Sequence, residues 1–200
     1  MQHEDSDVHI RHFQSDTDAI QVCQMWVNGL DQTVSSKWWP TQPLWRLLFN
    51  HMAKLAVQEN GDIGPSGQNI QKYWCEDKEN RCMLVAEKKG IGGEISAPGK
   101  VVGCMAVVRG TNNRVTITPN SQEETFSVWK MSVARECRRN GIGGKLLKVG
   151  EEWAVAHGCK RMRMITANPV ASQFYQSHGY ELMCNNRLTM CFGGWHEKQI

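Results

Sequence analysis

Two hundred residues suit one domain of ordinary size, long enough to bury a sizeable core. Twenty-three basic and 20 acidic side chains leave a net charge of +3, which argues for no particular partner. No run approaches the ~18 consecutive apolar residues of a membrane span. The nearest, Leu44 to Val57, is interrupted by Arg46, Asn50, His51 and Lys54.

Val8–Phe13 alternates and reads as a first strand. Ser15-Asp-Thr-Asp18 offers a capping box, and Ile20, Cys23, Val27 and Leu30 then mark one face of a helix ending near Gly29. Residues 31–42 are irregular, and Pro43 is placed to start a second helix through about Val57. Glu59–Gly67 is a loop by composition, followed by a short helix over Asn69–Trp74. Cys82–Ala86 and Val101–Val108 read as neighbouring strands joined by a long glycine-rich turn. Polar residues 110–122 lead to a strand over 125–133, then to a helix from Gly143 to His157 whose face carries Ile142, Leu146, Val149 and Trp153. Met162–Ile165 is a fifth strand and Ala171–Ser177 a short helix. Tyr180–Met183 and Leu188–Phe192 form a closing antiparallel pair. There is no internal repeat, and an α/β domain with a central mixed sheet results.

The eight cysteines show no Cys-x-x-Cys pair and no zinc-like spacing to histidine. The beginning, Met1 to Asp7, is acidic and bears no apolar signal core. Free thiols, a cytoplasmic location and no metal are the expectations.

The most informative stretch is Val128–Val133 followed by Arg138-Arg-Asn-Gly141-Ile-Gly143-Gly144-Lys145. It reads as a strand running into a glycine-rich, arginine-bearing loop and then a helix. The first N–H groups of a helix lack partners within it, and the helix dipole adds positive character there. Glycines let the backbone approach an anion closely, and Arg138 and Arg139 supply charge-assisted bonds to phosphate oxygens. From Lys130 to Lys148 six basic residues stand against Glu136 alone. A phosphorylated cofactor explains this excess more economically than nucleic acid, for which interleaved aromatics are missing.

About 30 residues on comes Asn168-Pro-Val-Ala171-Ser-Gln-Phe174-Tyr175-Gln-Ser-His-Gly179-Tyr180. The two blocks, in this order and at this spacing, resemble the acetyl-CoA-binding half of the GCN5-related N-acetyltransferase (GNAT) family. The first matches its [Gln/Arg]-x-x-Gly-x-[Gly/Ala] loop. The second matches its Asn-x-x-Ala-x-x-Phe-Tyr-x-x-x-Gly-[Phe/Tyr] segment. The resemblance is clear over 125–185 and implies a GNAT fold: one domain over 1–200, with an acceptor-side half at about 8–110 and a cofactor core at about 125–185.

It also implies acetyl-CoA as co-substrate. Met131, Ser132 and Val133 would pair with its pantetheine arm. Arg138, Arg139, Asn140, Gly141, Ile142, Gly143, Gly144 and Lys145 would hold its pyrophosphate. Backbone donors of the strand would face the thioester oxygen, where charge develops in the transition state. Tyr175 is the candidate general acid for the leaving thiolate, against a plain reading as a core tyrosine beside Phe174. Asn168 either bonds the cofactor or caps the helix that follows. Glu123 and Glu124 sit where relatives often carry a base or a water-relaying carboxylate, and Glu124 is the catalytic candidate; the plain alternative is a solvated loop pair. His157 and His178 look structural or exposed. Cys137 borders a loop that faces the pyrophosphate, so direct attack in a ternary complex is expected over an acyl-cysteine route. Trp38, Trp39 and Trp45 are either an aromatic lip for the acceptor or core packing.

The expected activity is transfer of an acetyl group to a primary amine, a small molecule or amino acid being favoured over a protein terminus or lysine. No nucleic acid and no membrane span are expected, and the chain would be a monomer or homodimer. The alternative is a non-catalytic acyl-CoA-binding module.

Overall fold

The computed structural model describes residues 8–14, 17–25, 70–89, 99–110, 124–166, 168–184 and 194–200. The expected helix over 43–57, the Trp38–Trp39–Trp45 cluster and Glu123 lie outside them. Seven strands form one sheet: β1 Val8–His12, β2 Arg81–Lys88, β3 Lys100–Arg109, β4 Thr125–Val133, β5 Arg161–Thr166, β6 Glu181–Cys184 and β7 Gly194–Gln199. Their spatial order is β1-β2-β3-β4-β5-β7-β6. The sheet is mixed: β4 pairs β5 in parallel, whereas β1–β2, β5–β7 and β6–β7 are antiparallel. Helical segments are α1 (residues 17–25), α2 Ile70–Glu76, α3 Ile142–Ala156 and α4 Pro169–Gln176.

The backbone falls into two compact units. The first holds β1, α1, α2, Met83–Met105 and Lys130–Leu146; the second holds Glu79–Cys82, Ala106–Trp129 and Leu147 onward.

In the first unit, β2 and β3 are apolar nearly throughout and buried, which is why a continuous apolar run rather than strict alternation marks them. Gly103 sits where a Cβ would come within 3.1 Å of Leu146 Cδ1 and 3.2 Å of both Ala86 Cβ and Ile142 Cγ2. The missing side chain lets the first turns of α3 lie directly on the sheet. On α1 the buried residues are Ala19, Val22, Cys23 and Met25, while Ile20 is 57% exposed. Of the expected face, Cys23 is therefore inward and Ile20 is not, while Val27 and Leu30 fall outside the described residues. The rotation is set by polar anchors: Asp18 pairs with Arg11 at 2.6 Å, and Gln21 Oε1 accepts from the Val101 N–H at 2.8 Å.

Arg11 also donates to Glu87, and Asp18 accepts from the Gln14 N–H. Burial pushes the Asp18 carboxyl up, but the Arg11 and Gln14 donors outweigh it, and its pKa ends below the ordinary value. The Arg11 bond likewise holds Glu87 down. Carboxyls with lowered folded pKa values add stability above their unfolded values, near 4, and lose it as pH falls through the folded ones. The urea midpoint should thus hold from pH 7 to 5 and drop below about pH 4. Asp18→Asn should cost about 1–3 kcal/mol at pH 7 and flatten that acid limb. An unchanged acid limb in the variant would remove Asp18 from the account.

In the second unit, β7 lies between β5 and β6, with Arg163 opposite Glu197 and Met164 opposite His196. The strand that closes the sheet beside β6 is thus Gly194–Gln199, and the expected stretch Leu188–Phe192 lies outside the described residues. On α3 the buried positions are Ile142, Leu146, Leu147, Gly150 and Ala154; of the expected face Ile142 and Leu146 are thus buried, and Val149 and Trp153 half-buried. Trp153 instead bridges partners, edge-on to Phe126 and stacked on His157 at 4.1 Å.

Six described cysteines (23, 75, 82, 104, 137 and 159) are free thiols. Burial pushes Cys82 up to about 12 and Cys159 to about 11, so both stay protonated and unreactive at neutral pH.

Candidate active site

The loop between β4 and α3 has the geometry its composition demands. A 3₁₀ turn over Arg135–Cys137 leads into Arg138–Gly141, all four exposed. Arg139 (φ 67°) and Gly141 (φ 73°) both take the left-handed conformation. Such alternation turns successive N–H groups toward one side and makes an anion-binding concavity. The first helical bond here is Lys145 N–H to Gly141 O, at 3.0 Å. The N–H groups of Ile142, Gly143 and Gly144 precede it, outside the intrahelical ladder. Ile142 is buried and pins the turn to the core, while Lys145 points out. The Arg138 Nε donates to the Val133 carbonyl at 2.9 Å, tying the loop back to the strand.

β4 departs from regular geometry at one residue. Lys130 has φ 50°, unusual for a long side chain inside a strand. Its carbonyl accepts from Cys104 Sγ at 3.6 Å, and burial lowers its ammonium to about 8. Lys130 therefore belongs to the strand interior and not, as its place in the basic run suggested, to the phosphate-facing charges. Met131, Ser132 and Val133 follow this kink, each half-buried. Glu124, at the other end of β4, holds Lys160 at 2.6 Å, and its carbonyl accepts the Lys160 and Arg161 N–H groups. Its carboxylate is thus committed to an ion pair on the surface.

In the second unit Tyr175 is 5% exposed, at the centre of an aromatic cluster. Phe174 lies edge-on at 5.0 Å, Tyr180 at 5.6 Å, and His196 is tilted at 6.4 Å. Burial raises the phenol's pKa, so it stays protonated through the alkaline range. Asn168 caps α4, its Oδ1 accepting from the Val170 N–H at 2.9 Å. The buried His196 imidazole meets Ser172 Oγ at 2.8 Å and so fastens α4 to β7. Burial lowers its pKa. His157 and His178 bond backbone carbonyls one turn back, as structural histidines do. Among the described residues no group of three His, Cys, Asp or Glu side chains is placed to hold a metal ion, and no helix is long and apolar enough to cross a membrane.

A strand, a turn with two left-handed residues and a glycine-bearing helix, followed by a capped helix that carries Phe174 and Tyr175, is the order of one known family. The profile of the acetyltransferase (GNAT) family matches residues 46–180. The chain belongs to the GNAT family of acetyltransferases. Its fold is also that of solved GNAT structures. A GNAT acetyltransferase from Staphylococcus aureus Mu50 superposes with a TM-score of 0.62 at 13% identity, over 96% of this chain and 98% of that one. A PaiA N-acetyltransferase from Thermoplasma acidophilum, in complex with coenzyme A, gives 0.64 at 14%, over 96% and 99%. A GNAT acetyltransferase from Brucella melitensis, in complex with acetyl-CoA, gives 0.53 at 16%, over 96% and 88%. No curated protein matches the chain.

Within this GNAT fold, the loop residues 138–145 lie in the first unit, whereas Asn168 and Tyr175 stand near opposite ends of α4 in the second. Sequence reasoning passed over Trp129, Arg163 and Glu197. The signal was present in alternation, Arg161-Met-Arg163-Met and Trp195-His-Glu197-Lys, but it needed the register between strands to be read.

Proposed function

We propose that this GNAT protein moves an acetyl group from acetyl-CoA to a primary amine by direct attack in a ternary complex. The observation that carries the reading is the loop: two left-handed residues, three N–H groups ahead of the helical ladder, and exposed Arg138, Arg139 and Lys145. That set fits a pyrophosphate. The strand residues Met131–Val133 would pair with the pantetheine arm, chiefly through donors, because the Val133 carbonyl already serves Arg138. Tyr175 would hand its proton to the departing thiolate. Asn168, its oxygen committed to the helix cap, would contribute its amide nitrogen. Glu124 would take the amine's proton only through a water relay, since Lys160 already faces it. The acceptor is a small amine or amino acid, and the free thiols support a reducing compartment such as the cytosol.

Release of coenzyme A across an amine panel tests the reading. Amine-dependent release with intersecting initial-rate lines is expected. Parallel lines would point to an acyl-enzyme. Binding of CoA with no turnover on any amine, peptide or lysine substrate would leave a non-catalytic acyl-CoA-binding module.

A further inference from the structure

On β5, Arg163 stands opposite Ser127 of β4 and opposite Glu197 of β7. Paired residues share a sheet face, and so do residues two apart on a strand. One face of the second unit therefore carries Ser127, Trp129, Arg163, Trp195 and Glu197. The other carries Phe126, which meets Trp153.

On the first face Arg163 is 8% exposed; its Nε donates to Glu197 Oε2 at 2.7 Å and its guanidinium lies 4.6 Å over the Trp195 ring. Ser127 turns its hydroxyl to the Gly110 carbonyl. Two donors remain. Arg163 Nη1 and the Trp129 indole N–H are both shut off from solvent and have no partner among the described residues. Each such orphan costs about 1–3 kcal/mol, and such groups are rare in folded proteins. Two of them on one face of neighbouring, paired strands leave donors there that no acceptor among the described residues meets.

We infer that Arg163 and Trp129 receive an oxygen of the acceptor substrate, so that the amine acetylated here carries a carboxylate or amide carbonyl near its nitrogen. This rests on the amine-acetylation reading above. The Arg163–Glu197 pair is neutral overall, so the site offers hydrogen bonds rather than a bare charge. An acceptor built only of donors, such as a polyamine, has nothing to give it. Removing a ligand oxygen from a site built to bond it leaves the buried donors unpaired again, which is the strongest discrimination such a pocket offers.

The test uses matched trios: glycine, alanine and phenylalanine, each with its amide and its decarboxylated amine. Wild-type kcat/KM should favour the oxygen-bearing members at least tenfold. Trp129→Phe, which keeps the ring, and Arg163→Lys, which keeps a cation beside Glu197, should each erase most of that preference while CoA affinity is unchanged. Retention by the amide would assign a carbonyl, and its loss a carboxylate. Independently of turnover, protein labelled with ¹⁵N at tryptophan should show the Trp129 indole resonance, identified by its absence in Trp129→Phe, shifting with an oxygen-bearing probe but not with its decarboxylated partner. An indole that stays put with all probes, as when an ordered water fills the gap, overturns the inference; so does equal use of the decarboxylated amines. Failure of CoA to bind in calorimetry would sink the acetyl-transfer reading, yet leave the indole shift to stand or fall by itself.

Discussion

Gly143→Val should lower affinity for coenzyme A by on the order of 10²-fold while leaving the fold intact. Gly143 lies in the first turn of α3, between the buried Ile142 and the exposed Lys145. Its own N–H and that of Gly144 are among the groups ahead of the helical ladder. A branched side chain here stands where the phosphate oxygens would approach, and two charge-assisted bonds lost at about 1.5 kcal/mol each make up the expected drop. Valine costs a helix only a few tenths of a kcal/mol, so unfolding is not the expected result. Gly141→Ala is the companion: at φ 73° it meets nothing within 4 Å, so backbone strain alone should act, and more gently. Calorimetry with CoA, alongside a urea midpoint, separates binding from folding. Wild-type affinity in a folded Gly143→Val protein would refute the pyrophosphate assignment.

Tyr175→Phe should reduce kcat by about 10²-fold with CoA affinity little changed, the mark of an interaction made only in the transition state. Phenylalanine keeps the ring among Phe174, Tyr180 and His196 and deletes the hydroxyl alone. The raised pKa cuts two ways. It keeps the proton in place for delivery, and it weakens the drive toward the thiolate, so departure of bare thiolate could soften the loss to about tenfold. Because the phenol stays protonated, deprotonation of Tyr175 should not limit the rate as pH rises from 7 to 10. An alkaline limb in wild type that vanishes in Tyr175→Phe would contradict the burial argument. Full kcat in the variant would make Tyr175 a packing residue.

Where the sequence was legible, the signal was local. β2 and β3 are apolar blocks that no neighbour has to explain. The loop 138–145 could be read because glycine spacing reports backbone freedom directly. The left-handed Arg139 could not, since arginine carries no such mark. Gly194–Gln199 escaped as a strand because its polarity is neutralised from afar: Glu197 by Arg163, Lys198 by Glu151, His196 by Ser172. A hydrophobicity reading sees three polar residues and prefers the apolar stretch before them. Ile20 was misplaced for a related reason: Asp18 and Gln21 turn α1 through partners on β1 and β3. Similarly, Glu124 was singled out for its position, and only the fold reveals Lys160 opposite it.

The placement of β7 sets an order of events during synthesis. β6 leaves the ribosome before β7, yet its recorded pairing is to β7, which also pairs with β5. Until residues 194–199 emerge, β6 has no ladder to join and β5 offers an open edge to any other chain. The Ser172–His196 bond that backs the Tyr175 helix waits for the same residues. Nascent chains halted before β7 should therefore be the aggregation-prone species, and the tyrosine's surroundings among the last to settle.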